Sequence, residues 1–209
     1  DVSCFSFQST KTVSAGQGGA LVTDDEEIYR GASIFSKHGI DKASTGKYYW
    51  AAELGYNFSI SDFQAALIFS QLSQVRNLFE FRSNLFSMFK EAFNKYKPQE
   101  FNIAPNFEDK LNIPYLPLVK FKESEIARNG SIKNLCLTKE WIEKFNIEVR
   151  PSFYPLHIMG PFKDYHLESP TNLENTVNIS NSTFILPFGN RFPLGLVDET
   201  VSRIELVLS

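Results

Sequence analysis

The sequence predicts an α/β protein in two parts, joined by a long helix. Three observations carry this expectation. Short apolar runs of strand character alternate with stretches of helical spacing. One apolar stripe continues from Phe63 to Phe93 with no proline to interrupt it. The chain has 209 residues, 43% hydrophobic and 22% charged, a globular composition that excludes a disordered, collagen-like or coiled-coil chain. The formal charge of −3 gives no basic excess, which disfavours a nucleic acid or a membrane surface as partner. No apolar run approaches the ~18 residues of a membrane span. Two cysteines, Cys4 and Cys136, make neither a disulfide framework nor a four-thiolate zinc site. The 20 Phe and 8 Tyr are an unusually large aromatic surface to bury, and part of it reads as interface.

The elements follow in order. Val2, Cys4, Phe5 and Phe7 suit a short buried strand over 2–7. The chain begins at Asp1 without an initiator Met and enters that strand at once, so it reads as the interior of something longer. After Gly16-Gln17-Gly18-Gly19 comes a second strand, Ala20 to Thr23. Asp24 and Asp25 are good N-caps for a helix through Ile28, Ala32 and Phe35, which stops near His38-Gly39. Residues 40–60 have no period and many aromatics, so an ordered loop is expected. Ser61 and Gln64 form a capping box at the start of the long stripe (Phe63, Leu67, Leu72, Val75, Phe79, Phe86, Phe89, Phe93). An unbroken helix over 61–96 spans roughly 54 Å. Beyond Pro98 the pattern gives strands at 113–121, 147–149 and 183–186. It also gives a short helix capped by Thr138 and a terminal helix from Asp198. The domain boundary is expected near 90–100: residues 1–95 with the bridging helix, then a small α/β domain over 96–209.

Several catalytic constellations are missing, among them Gly-Lys-Ser/Thr, His-Glu-x-x-His and Gly-x-Ser-x-Gly loops. His38, His157 and His166 are too few for a His-rich metal site, and no metal is expected. What remains is Lys11, which follows an apolar strand and a Ser/Thr cluster and precedes the glycines. Burial among apolar residues disfavours an ammonium, and a neutral amine can attack a carbonyl. From local features alone, a solvated surface lysine is the commoner outcome.

Longer segments carry more. "FSFQSTKTVSAGQGGALVTDDEE" (5–27), "KHGI" (37–40) with "ELGYNFSISDFQAALIFSQL" (53–72), "IEVRPSFYPLHIMGPFKD" (147–164) and "ILPFGNRFPL" (185–194) stand in that order. Together they resemble four blocks of the DegT/DnrJ/EryC1/StrS sugar aminotransferases. The first is similar to that family's Schiff-base segment, Ser-Phe-x-x-x-Lys followed by Gly-Glu-Gly-Gly.

The resemblance implies a fold-type-I transferase dependent on pyridoxal 5′-phosphate (PLP): the end of the large domain plus the small C-terminal domain. Lys11 matches the lysine that holds PLP, Ser6 the serine that binds its phosphate, and Gly18 and Gly19 the adjoining glycine pair. Asn57 matches the asparagine that reaches the phosphate from a neighbouring subunit, which implies a homodimer with shared sites. Without the family, Asn57 reads equally well as a turn residue. His157 matches the histidine facing the sugar, and Arg150 and Tyr154 share its block. The implied reaction is amino transfer from glutamate to a nucleotide-linked 4-keto-6-deoxy sugar, in the cytoplasm, as in the perosamine-synthase group. The alternative is a truncated, catalytically silent relative that acts as a structural or dimerisation partner.

Three departures bear on this. Gln17 replaces the usual Glu, and Met159-Gly160 replaces the commoner Gln-Pro. The family's N-terminal half does not match any part of the chain. It should hold the phosphate-cradling turn, the aromatic on the ring and the acid that pairs with the ring nitrogen. Without that acid the ring is a poorer electron sink. A fragment and one half of a split enzyme both fit.

Overall fold

The computed structural model describes residues 1–96, 101–103, 113–121, 146–162 and 173–206. The expected helix at Thr138 lies outside them. The chain divides into two compact units, Asp1–Leu78 and Phe79–Ser209. The division falls inside a helix, earlier than the expected boundary at 95/96.

In the first unit, strands β1 (Val2–Ser6) and β2 (Gly19–Thr23) form an antiparallel hairpin in which Val2 faces Thr23 and Ser6 faces Gly19. The strand expected as buried is exposed at every residue, with Phe5 at 55%. A ribbon of two strands has two faces, and β1 has only β2 beside it. Helix α1 (Glu26–Ser36) starts where Asp25 Oδ1 accepts the amide N–H groups of Glu27 and Ile28, at 3.0 and 3.1 Å. It buries Ile34, while Ile28 and Phe35 of the expected face remain exposed.

The chain leaves α1 through two left-handed residues, His38 (φ 61°) and Gly39 (φ 71°). A one-turn helix α2 (Lys42–Thr45) then interrupts the stretch expected as loop. Asp41 creates it: one carboxylate oxygen caps the Ser44 N–H and the other takes the Arg30 guanidinium at 2.5 Å. That pairing and capping hold the Asp41 carboxyl down at about 2. The 53–58 segment is laced to the end of α1 by His38 N–H to Tyr56 C=O (3.0 Å) and Tyr56 N–H to Phe35 C=O (2.8 Å). Gly39 and Gly55 cross so closely that a Cβ on Gly55 would lie 2.0 Å from the Gly39 nitrogen. The "KHG" and "ELG" motifs are therefore two halves of one backbone crossing, which no side chain larger than hydrogen permits.

The long stripe folds as two helices, α3 (Asp62–Leu72) and α4 (Val75–Tyr96). The expected capping box is present at Ser61 and Gln64. The break is Ser73-Gln74, where Gln74 N–H bonds to Gln71 C=O at 3.2 Å, a tighter i→i+3 pattern. The Ser73 hydroxyl and the Gln74 amide both donate back to Ser70 C=O, at 2.7 and 3.4 Å, and compete with the helix ladder there.

The second unit is built on a four-stranded antiparallel sheet of order β3-β4-β6-β5, from β3 (Phe101–Ile103), β4 (Leu118–Phe121), β5 (Arg150–Pro151) and β6 (Thr183–Ile185). Its described residues also form helices α5 (Glu174–Ser182) and α6 (Val197–Leu206). Leu85, Phe89 and Phe93 of α4 pack with Val119, Phe184 and Leu186 of the sheet region and with Val201 and Ile204 of α6. Most of α4's apolar stripe thus belongs to this core. Arg82 is buried beside it, with Nε donating to Pro114 C=O (3.1 Å), Nη1 to Asn190 Oδ1 (3.1 Å) and Nη2 to Tyr115 C=O, while its guanidinium lies 4.7 Å from the Phe188 ring centre. Burial lowers its pKa, as no carboxylate stands among those partners.

Candidate active site

The hairpin end gathers four of the expected residues. Ser6 closes β1 and pairs across to Gly19. The connecting segment folds back on the strands: Phe7 N–H bonds to Gly18 C=O (2.9 Å), Ala15 N–H to Phe7 C=O (2.9 Å) and Ser9 N–H to Gly16 C=O (3.0 Å). Lys11 sits on this segment, half-buried, its amide bonded to Gln8 C=O at 2.9 Å. Val13 behind it is buried.

The glycine pair has a steric reason. Gly18 has φ +131°, and a Cβ there would lie 3.2 Å from Ile60 Cγ2; a Cβ on Gly19 would lie 2.9 Å from Phe5 O. A side chain at 19 would fill the space where backbone meets backbone, and one at 18 would crowd the Ile60 side chain from a left-handed backbone.

The Ser6 hydroxyl is exposed; its oxygen accepts Gln8 N–H at 3.4 Å, and its O–H has no acceptor among the described residues. It is free to donate to an anion. The segment thus carries an amine at Lys11 and a hydroxyl at Ser6, a pair of functional groups whose chemistry suits a carbonyl-reactive cofactor bearing a phosphate.

Two side chains of α3 reach into the same segment. Gln64 Nε2 donates to Gln17 C=O at 3.1 Å. Gln71 Oε1 accepts Ser14 N–H at 3.0 Å, and its Nε2 donates to Ser14 C=O at 2.7 Å. Gln64 thus does more than complete the capping box, and no sequence motif marks Gln71. Its one signal is an amide at an inward-facing position of an apolar helix.

Asn57 belongs to the same unit but to another segment. It is exposed and forms an isolated antiparallel bridge with Lys37. Its strand-like stretch meets the hairpin at Ile60, against Gly18.

Arg150, Tyr154 and His157 lie in the second unit. Tyr154 and His157 line an open, mostly apolar cavity of about 720 Å³, with Phe153, Phe162, Thr176 and Ile179 among its other walls. Buried polar bonds brace its floor: Ser152 Oγ donates to Ser180 C=O (3.0 Å) and Ser180 Oγ to Phe153 C=O (2.7 Å). Arg150 is not part of that lining; it is exposed and pairs with Glu148 at 3.2 Å. Among the described residues no group of three or more His, Cys, Asp or Glu is placed to hold a metal ion, and no helix is long and apolar enough to cross a membrane.

The fold is that of an α/β chain whose first unit carries Lys11 on the segment between β1 and β2. The solved PLP form of Spr1654 from Streptococcus pneumoniae has the same fold, with a TM-score of 0.79 at 20% identity over 99% of this chain and 51% of that one. The chain belongs to the DegT/DnrJ/EryC1/StrS aminotransferase family, whose model matches residues 1–205. It is 27% identical to the spore coat polysaccharide biosynthesis protein SpsC of Bacillus subtilis (strain 168), over 98% of this chain and 53% of SpsC. It is 26% identical to the GDP-perosamine synthase of Escherichia coli O157:H7, over 81% of this chain and 43% of that enzyme. The chain thus spans about half the length of the curated relatives it matches.

Proposed function

We propose that the chain is the C-terminal part of a PLP-dependent aminotransferase that moves the amino group of glutamate to a nucleotide-linked 4-keto-6-deoxy sugar in the cytoplasm. The observation that carries this is the hairpin end: Lys11 on the segment that Gly18 and Gly19 close, five residues along from Ser6, whose O–H has no acceptor among the described residues. Family membership and the likeness to GDP-perosamine synthase support the substrate class.

In this reading Lys11 and Ser6 hold PLP, the amine through its aldehyde carbon and the hydroxyl through its phosphate. When bound, PLP supplies a conjugated ring that takes up the electron pair left as the amino-bearing carbon loses its proton. Lys11 Nζ would move the proton at that carbon, as general base in one half of the exchange and as general acid in the other. Gly18 and Gly19 let the backbone approach without a side chain between. Asn57 serves the phosphate in a second copy of the chain, so the working form is a homodimer. Tyr154 and His157 face the sugar from the wall of the apolar cavity, and Arg150 lies at the edge of that segment.

The test is amino transfer from glutamate to a nucleotide 4-keto-6-deoxyhexose, with the chain complemented by the first half of a family member such as SpsC. Amino-sugar product that disappears with Lys11→Ala is the expected result. Transfer that survives Lys11→Ala overturns the assignment.

A further inference from the structure

We infer that Gln71 is a positioning residue for Lys11, fixing the segment that carries the amine by pairing with both backbone groups of Ser14; this rests on the reading of Lys11 given above. The Gln71 carboxamide is planar and offers one acceptor and two donors. Its oxygen takes Ser14 N–H at 3.0 Å and its nitrogen gives to Ser14 C=O at 2.7 Å, as a neighbouring strand would. The second amide hydrogen reaches Leu67 C=O, one turn back, at 2.9 Å, which sets the rotamer. All three bonds use one rigid amide, so they set direction as well as place.

Ser14 stands three residues beyond Lys11, and Val13 between them is buried. Gln64 lies two turns earlier on the same face of α3 and holds Gln17 C=O by a single bond at 3.1 Å. The Lys11 segment is thus fastened from outside the hairpin at Ser14 and at Gln17. An apolar residue at 71 would suit a helix that also carries Leu67, Ile68 and Leu72, yet it would leave both Ser14 groups without these partners. An amine that must meet one carbon in one orientation tolerates little misplacement. That demand explains an amide at this position where simple burial does not.

The test compares the parent chain with Gln71→Ala and Gln71→Glu. Hydrogen exchange over residues 8–18 reads the clamp itself, and about tenfold faster exchange is expected in Gln71→Ala. A second readout uses millimolar PLP and borohydride. The Lys11 amine condenses with the PLP aldehyde, water leaves, and hydride reduces the C=N to a secondary amine that peptide mapping quantifies against exposed Lys37 and Lys47. The parent is expected to label Lys11 preferentially, and Gln71→Ala to lose about tenfold of that preference with Lys37 and Lys47 unchanged. In Gln71→Glu the carboxylate can accept from Ser14 N–H but cannot donate to the carbonyls. Its deficit relative to the parent should shrink as pH falls into the carboxyl range and the protonated acid donates again, a response that a general loss of fold would not give. Parent-like exchange and parent-like Lys11 preference in Gln71→Ala overturn the inference, and so does a Gln71→Glu deficit that ignores pH. A parent that shows no Lys11 preference, with the clamp intact by exchange, sinks the Lys11 reading and this inference with it.

Discussion

The two units solve the problem of burial differently. In Phe79–Ser209, Leu85, Phe89, Val119, Phe184 and Val201 are almost wholly inaccessible and share one core. In Asp1–Leu78 the buried apolar side chains are Val13, Ile34 and Ile68, while Phe5, Val22, Phe63 and Phe69 are out, the last at 77%. Helix α3 turns Gln64 and Gln71 to the hairpin segment and leaves Phe63, Leu67, Phe69 and Leu72 exposed, an apolar surface of the kind a helix normally covers. The second unit is organised to stand on its own sheet and helices. The first keeps its order through backbone lacing, the Gly39–Gly55 crossing and the glutamine clamps, and presents apolar surface outward. The cofactor chemistry is assigned to the unit that is least finished.

The largest effect should come from breaking the closed core. Phe184→Ala removes a wholly buried ring and is expected to cost about 3–5 kcal/mol, read from denaturant unfolding. Next stands Arg82→Met, which keeps the stem but removes the three hydrogen bonds that the guanidinium gives to Pro114, Tyr115 and Asn190, at a cost on the order of 3 kcal/mol by the same measurement. In the first unit the expected handle is pH. The Asp41 carboxyl is held at about 2 against an ordinary 3.8, chiefly by Arg30 and then by Ser44. A depressed carboxyl contributes stability above its unfolded value and loses it as pH falls, so protection of the 37–58 segment should drop between about 4 and about 2. Hydrogen exchange should show this drop weakened in Arg30→Met. The smallest effect is Phe69→Ser: in the isolated chain it should move stability by less than about 0.5 kcal/mol, since the ring has little to lose.

Much of this was legible in the residues. Asp25 and the Ser61–Gln64 box announced two helix starts, and the strands on either side of the Gly-rich stretch stand where their apolar residues put them, although their pairing as a hairpin was not written in the pattern. Helix α5 was not legible: it begins at Leu173, which has no capping side chain, and its buried residues are Ser180 and Ser182 while Ile179 is exposed. A helix whose buried face is serine leaves no hydrophobic period to find. The break at Ser73-Gln74 was missed because it does not disturb the apolar stripe; it is made by side-chain bonds to Ser70. Strand β1 was read as buried because its residues are apolar, and apolarity records the surroundings a strand is built for, which two strands alone do not supply. Gln71 lay hidden for a related reason, since its partner Ser14 is 57 residues away in sequence.

The central claim is that the first unit carries the reactive lysine but holds the cofactor only when its open surface is completed by the family's other half. Each missing hydrogen bond to a charged group of the cofactor is worth roughly 1.5–3 kcal/mol, so several together weaken binding by orders of magnitude. The direct measurement is an absorbance titration of the purified 209-residue chain with equimolar PLP, followed by glutamate, with and without the N-terminal half of a relative. No stable coloured species and no half-reaction are expected from the chain alone, and both upon complementation, lost again in Lys11→Ala. A stable yellow protein that turns over glutamate without any added half would contradict it.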